Sequence, residues 1–164
     1  MRDFAPLIRP PTPTDAPIVA TLINAMNSLD GLHPDVPMTA DLVLRDLIGP
    51  NPRALLLLAE LGGEVIGFAT AGTIYDAIRV ADAIMLLDLY VAPHARRRGA
   101  ARALMAALAA EAVRREAGCI WWGVDDGDDE ATAFYRAIGA RSEGRFSGEI
   151  LEGTALRRLA AEAR

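Results

Sequence analysis

The stretch from Leu86 to Ala101, LLDLYVAPHARRRGAA, constrains this chain more than any other. An apolar run over Leu86–Val91 has strand character and stops at Ala92-Pro93. Three arginines follow, then Gly99, then an alanine-rich helical stretch. A helix N-terminus has backbone N–H groups with no intrahelical partner, and the helix dipole places partial positive charge there. Gly99 at the entry lets a ligand approach the backbone. Arg96, Arg97 and Arg98 add formal charge and forked donors at the same point. The strand–turn–helix therefore predicts a seat for a phosphate or pyrophosphate. The other reading of these residues, taken alone, is a basic turn that only solubilises the surface.

Length and composition exclude several classes. A chain of 164 residues with 52% hydrophobic and 24% charged content can bury a core and is expected to fold as one domain over residues 1–164. No apolar run reaches the roughly 18–20 residues of a membrane span. The opening MRDFAPLIRPPTPTD lacks the continuous apolar core of a signal peptide, so the cytoplasm is the expected location. One cysteine excludes an internal disulfide, and with two histidines it leaves little for a metal site, so no metal is expected. A net charge of −5 disfavours nucleic acid as a partner and is compatible with a cationic substrate.

Taken in order, Phe4 to Arg9 reads as an edge strand containing Pro6. Thr14 or Asp15 is a cap for a helix reaching about Leu29, with Ile18, Leu22, Met26 and Leu29 as the expected buried face. Thr39 is a cap for a second helix ending near Ile48, where Gly49 and Pro50 stop it. Arg53–Leu61 and Glu64–Gly72 flank Gly62-Gly63 and form a hairpin. Ala83–Val91 is the next strand, and a helix runs from Ala100 to about Glu116. Cys119–Val124, CIWWGV, is a strand placing Trp121 and Cys119 on one face, with Ile120, Trp122 and Val124 on the other. Arg141–Ser147 and Glu149–Leu151 read as two short strands, and Thr154 caps a last helix over Ala155–Ala163.

The acidic loop Asp125, Asp126, Asp128, Asp129 and Glu130 precedes a helix over Glu130–Ile138. Its cap is Asp128 or Asp129, and its carboxylates favour the positive helix end. The pattern Asp128-x-x-Ala131-x-x-Phe134-Tyr135-x-x-x-Gly139-Ala140 spans this segment.

Together with Arg96-Arg97-Arg98-Gly99-Ala100-Ala101, that pattern resembles the paired signatures of the GNAT N-acetyltransferase superfamily. It is nearest to the branch of diamine (spermidine/spermine) and thialysine acetyltransferases, whose strand before the arginine loop reads Leu-Glu-Asp-Leu-Tyr-Val. The resemblance implies an α/β GNAT fold: a mixed, mostly antiparallel twisted sheet of six or seven strands flanked by about four or five helices. It implies acetyl-CoA as acetyl donor, held by Leu89, Tyr90, Val91, Arg96, Arg97, Arg98, Gly99, Ala100, Ala101, Asp128, Ala131 and Phe134. It also implies a homodimer, to which Phe146, Ile150 and Leu151 offer apolar contact. In the resembling family, the first two helices lie over the acceptor side. His33, Tyr75 and Trp121 are the candidate acceptor contacts.

The implied reaction is direct transfer of acetyl to a primary amine of a small molecule, a polyamine or diamine among the candidates. The amine must lose its proton, the carbonyl oxygen needs a donor, and the departing thiolate needs a proton. Backbone N–H groups at Leu89–Val91 are candidate donors to the carbonyl, and Tyr135 matches the family's general acid. Leu87 stands where the diamine branch has its glutamate, so the base is Asp88, Asp126 or ordered water. Leu87 also supports a second reading, a CoA-binding module of this fold that regulates or assembles without turnover. A longer acyl donor is a third.

Overall fold

A computed structural model describes residues 5–29, 31 and 34–163. The chain divides into two compact units, Met1–Val124 and Asp125–Arg164.

In the first unit, β1 (Leu7–Arg9), β2 (Leu55–Leu61), β3 (Glu64–Asp76), β4 (Ala81–Val91) and β5 (Ile120–Trp121) form one sheet in the order β1-β2-β3-β4-β5. The first four pair antiparallel, and β5 joins β4 in parallel. One face is covered by α1 (Ala16–Leu29) and α2 (Ala40–Val43), whose turns continue wider to Ile48. The other carries α3 (Ala100–Arg114), which packs on β1 to β4.

Covering on both faces explains why β3 is buried without interruption from Val65 to Ala71. Phe68 and Leu58, fully buried and opposite each other, anchor the α1 side together with Val19 and Val43. On the α3 side Leu104 and Leu108 are fully buried. Gly67 marks a close backbone approach, since a Cβ there would lie 2.5 Å from the Tyr90 carbonyl oxygen.

Of the expected face of α1, Leu22 is buried, Ile18 and Met26 pack partly buried against the core, and Leu29 is exposed; Ala16, Val19, Ala20 and Ile23 are buried beside them. A 3-10 turn over Pro13–Asp15 precedes the helix. That turn is tied down by charge. Arg9 donates from Nη1 and Nη2 to the two oxygens of buried Asp15 at 2.8 and 2.9 Å, and from Nε to Glu60 at 2.8 Å. The Thr12 N–H donates to Asp15 at 2.7 Å. The Arg9 guanidinium thus holds the Asp15 carboxyl well below the usual carboxylate range. Asn24 bridges α1 to the segment before α2, donating to the Met38 carbonyl at 2.8 Å and accepting its N–H at 2.9 Å.

β4 carries one residue more than its ladder with β3 accommodates. Thr70 stands opposite Asp88 and Ala71 opposite Leu86, so Leu87 is the extra residue of a β-bulge.

The second unit holds α4 (Asp129–Ala137) and α5 (Gly153–Ala160). Asp128 caps α4, its Oδ1 accepting the Ala131 N–H at 2.9 Å. The strands expected over 141–147 and 149–151 are absent, and Cys119–Val124 contracts to β5, so the described sheet has five strands rather than six or seven. Physically, 141–151 is exposed throughout, is interrupted by Gly144 and Gly148, and has no ladder partner; unpaired strands of this kind are unstable in water. No side chain of the described residues in this unit is buried.

Candidate active site

The strand, turn and helix of the expected anion seat stand where the sequence places them. β4 ends at Val91, a 3-10 turn over Pro93–Ala95 reverses the chain, and α3 starts at Ala100. Arg96 closes the turn by donating from Nε to the Val91 carbonyl at 3.1 Å, so part of this guanidinium is structural. Arg97 has a left-handed φ of 62°, uncommon for a residue with a side chain, and Gly99 at the N-cap has φ 82°. Gly99 has no side chain to cap with, so the first-turn N–H groups of α3 have no side-chain partner from their N-cap.

Arg98 and Arg102 are exposed and make no ion pair among the described residues. Arg102 escaped the sequence reading. Its signal was a cation in the first helical turn, where the macrodipole disfavours one unless an anion is bound nearby.

β4 also offers a free edge. Its pairing with β5 covers Ile84 opposite Ile120 and Met85 opposite Trp121, after which β4 continues to Val91 with no partner on that side among the described residues. Such an edge can take an extended, amide-bearing ligand as an added strand. It runs directly into the arginine turn. Leu87, displaced from the ladder at the bulge and 52% exposed, lies along it. The Tyr90 ring packs in the core, 5.9 Å from Phe68 between centroids, which leaves only its backbone for a ligand.

The acceptor candidates separate. Strand register puts Asp88 opposite Thr70, on the face bearing Phe68, Tyr90, α1 and α2. Met85, opposite Gly72, shares this face, and so does its parallel neighbour Trp121. Tyr75, 64% exposed, alternates onto the α3 face, where Arg115 from the end of α3 donates to Thr73 Oγ1 at 3.1 Å. Asp88 and Trp121 are thus brought to one face and Tyr75 is not. His33 lies outside the described residues.

In the second unit, Tyr135 is half-buried on α4, its ring 5.1 Å from that of Phe134. Burial, and secondarily the Asp128 charge, push its phenol above the ordinary value of 10.0, so it holds its proton at neutral pH. Asp126 is exposed and pairs with Arg145 at 3.3 Å.

Known proteins share the family and the fold. The model of the acetyltransferase (GNAT) family matches residues 21–140. A Bacillus subtilis (strain 168) protein described as the uncharacterized N-acetyltransferase YhfO is 27% identical over 139 residues, 85% of this chain and 92% of that protein. An integron cassette protein from the mobile metagenome of V. cholerae superposes with a TM-score of 0.76 at 23% identity, covering 96% of this chain and 98% of its own. An aminoglycoside acetyltransferase from an uncultured soil metagenomic sample, solved with sisomicin, gives 0.75 at 17% identity over 92% of this chain and 97% of its own. At these identities the structural likeness shows the fold alone.

Proposed function

Because the chain belongs to the acetyltransferase (GNAT) family, we propose that it transfers acetyl from acetyl-CoA directly to a primary amine of a small molecule, with polyamines and diamines among the acceptors. The observation that carries this reading is the unpartnered edge of β4 leading into the uncapped start of α3 beside Arg98 and Arg102. An extended pantetheine suits the first and a pyrophosphate the second. When bound, acetyl-CoA supplies an activated thioester.

The chain's own groups then have distinct tasks. Backbone N–H groups of β4, from the bulge at Leu87 through Leu89–Val91, donate to the carbonyl oxygen as it gains charge. By the resemblance, Tyr135 would be the acid that protonates the departing sulfur as the amine nitrogen bonds to the carbonyl carbon and the carbon–sulfur bond breaks. Its raised pKa keeps that proton available. The amine's proton leaves to Asp88 or through water. Asp126 is a weaker candidate, being exposed and paired with Arg145. We carry over the homodimer from the resemblance, and with it the cytoplasmic location expected from the sequence.

The test is free-thiol release from acetyl-CoA with spermidine, short diamines, lysine analogues, aminoglycosides and amino-terminal peptides. Turnover with at least one amine is expected, with Tyr135→Phe slowing it by about 100-fold. A second reading, a module that binds CoA without turnover, is favoured by Leu87, which cannot accept a proton. CoA binding without thiol release for every amine would select it.

A further inference from the structure

Two buried polar residues stand out among those described, Asp15 and Thr70. Asp15 is neutralised by Arg9. The Thr70 hydroxyl instead donates to Asp88 Oδ2 across the β3–β4 ladder. Asp88 is half-buried, accepts no other hydrogen bond and has no cationic partner among the described residues. A carboxylate partly withdrawn from water and lacking a counter-charge is costly to keep unless a cation visits it.

The surroundings fit a visitor. The next row on this face is Gly72 opposite Met85, extended by Trp121 on β5. A Cβ placed on Gly72 would meet no atom within 4 Å, so the face has open space one row from Asp88. Met85 and Trp121 supply apolar surface beside it.

We propose that Asp88 seats the ammonium group of the acceptor over Gly72, and that Thr70 is the positioning residue that makes it possible. By engaging Oδ2, the Thr70 hydroxyl fixes the carboxylate and leaves Oδ1 to receive the cation. Thr70 itself touches no substrate. This rests on the amine-acetyltransfer reading and adds to it an acceptor subsite with a stated chemistry: a primary ammonium carried on a short apolar or cyclic body.

The test uses the full chain and the amine that turns over fastest in the panel above. Thr70→Val is expected to raise the amine KM by about tenfold, with CoA affinity within about twofold of wild type. Thr70→Ser restores the hydroxyl and should return KM to within about threefold of wild type. In an Asp88→Asn background, Thr70→Val should add nothing, since its effect passes through that carboxylate. An unchanged KM in Thr70→Val, no rescue by serine, or additive losses in the double variant would each overturn the proposal. Should Thr70→Val fold poorly, Gly72→Val decides, because open space receives its side chain: KM must rise with the melting temperature held. Wild type that turns over no amine fails the acetyltransfer reading and this inference with it. Active wild type with an indifferent Thr70→Val fails this inference alone.

Discussion

The two units of this chain carry one motif each, yet they are held by different forces. In Met1–Val124 the arginine turn hangs from a sheet covered on both faces, and every buried side chain among the described residues lies in this unit. In Asp125–Arg164 the motif helix α4 is capped by Asp128, its Phe134 and Tyr135 rings are half-buried, and no described side chain is fully buried. A sequence signature of equal clarity can therefore sit on a core-supported frame or on a locally supported one. The difference is energetic: full hydrophobic burial contributes to the first, whereas in the second the Asp128 cap contributes about 1 kcal/mol.

The comparison can be broken or sharpened by substitution. The largest effect is expected at Gly67, where alanine drives a Cβ into the Tyr90 carbonyl and should destabilise the first unit by about 3 kcal/mol in urea unfolding. Next is Asp15→Asn, which loosens the Arg9 clamp and should lose about 2 kcal/mol at pH 7. Its sign with pH follows from the depressed carboxyl. Asp15 stabilises fully above its unfolded value of about 4, and the contribution fades as pH falls through that value toward the lower folded one. Wild type and variant should accordingly converge below about pH 4 in acid titration followed by circular dichroism.

The smallest effect is Asp128→Ala. It should cost about 1 kcal/mol and be confined to α4, seen as faster amide exchange there with β3 amides unaffected. Equal loss of protection in β3 would show that the units open as one, contrary to the comparison.

What was legible in the sequence follows the same division. Turn chemistry and helix boundaries could be read because they are local: Gly62-Gly63, Thr39 with Leu42, Gly99, and Asp128 with Ala131 all act within a few residues. Burial on two faces gave β2 to β4 their apolar runs. The clamp that pins the turn before α1 could not be read, since it joins Arg9 to Glu60, far apart in sequence. Nor could the missing strands at 141–151, because a strand depends on a partner that its own residues do not encode. In the site, Asp88 was legible as a carboxylate, but Thr70 was not. Their meeting depends on the register between β3 and β4, which brings together residues eighteen apart.

Leu87 affects even the counting of residues. Stepping by twos from Val91 assigns Asp88 to the helix α1 side, whereas the same stepping from Ala83 or Met85 would assign it to the opposite side. Both counts are correct within their own stretch, and the extra residue is where they change over. β4 is therefore two short alternating segments joined out of phase. Deleting Leu87 would merge them into one continuous alternation and leave every other side chain on its present face. The strand can do without this residue as a sheet element. What the deletion would remove is an exposed residue and a local bend, both sited beside the carboxylate that Thr70 holds.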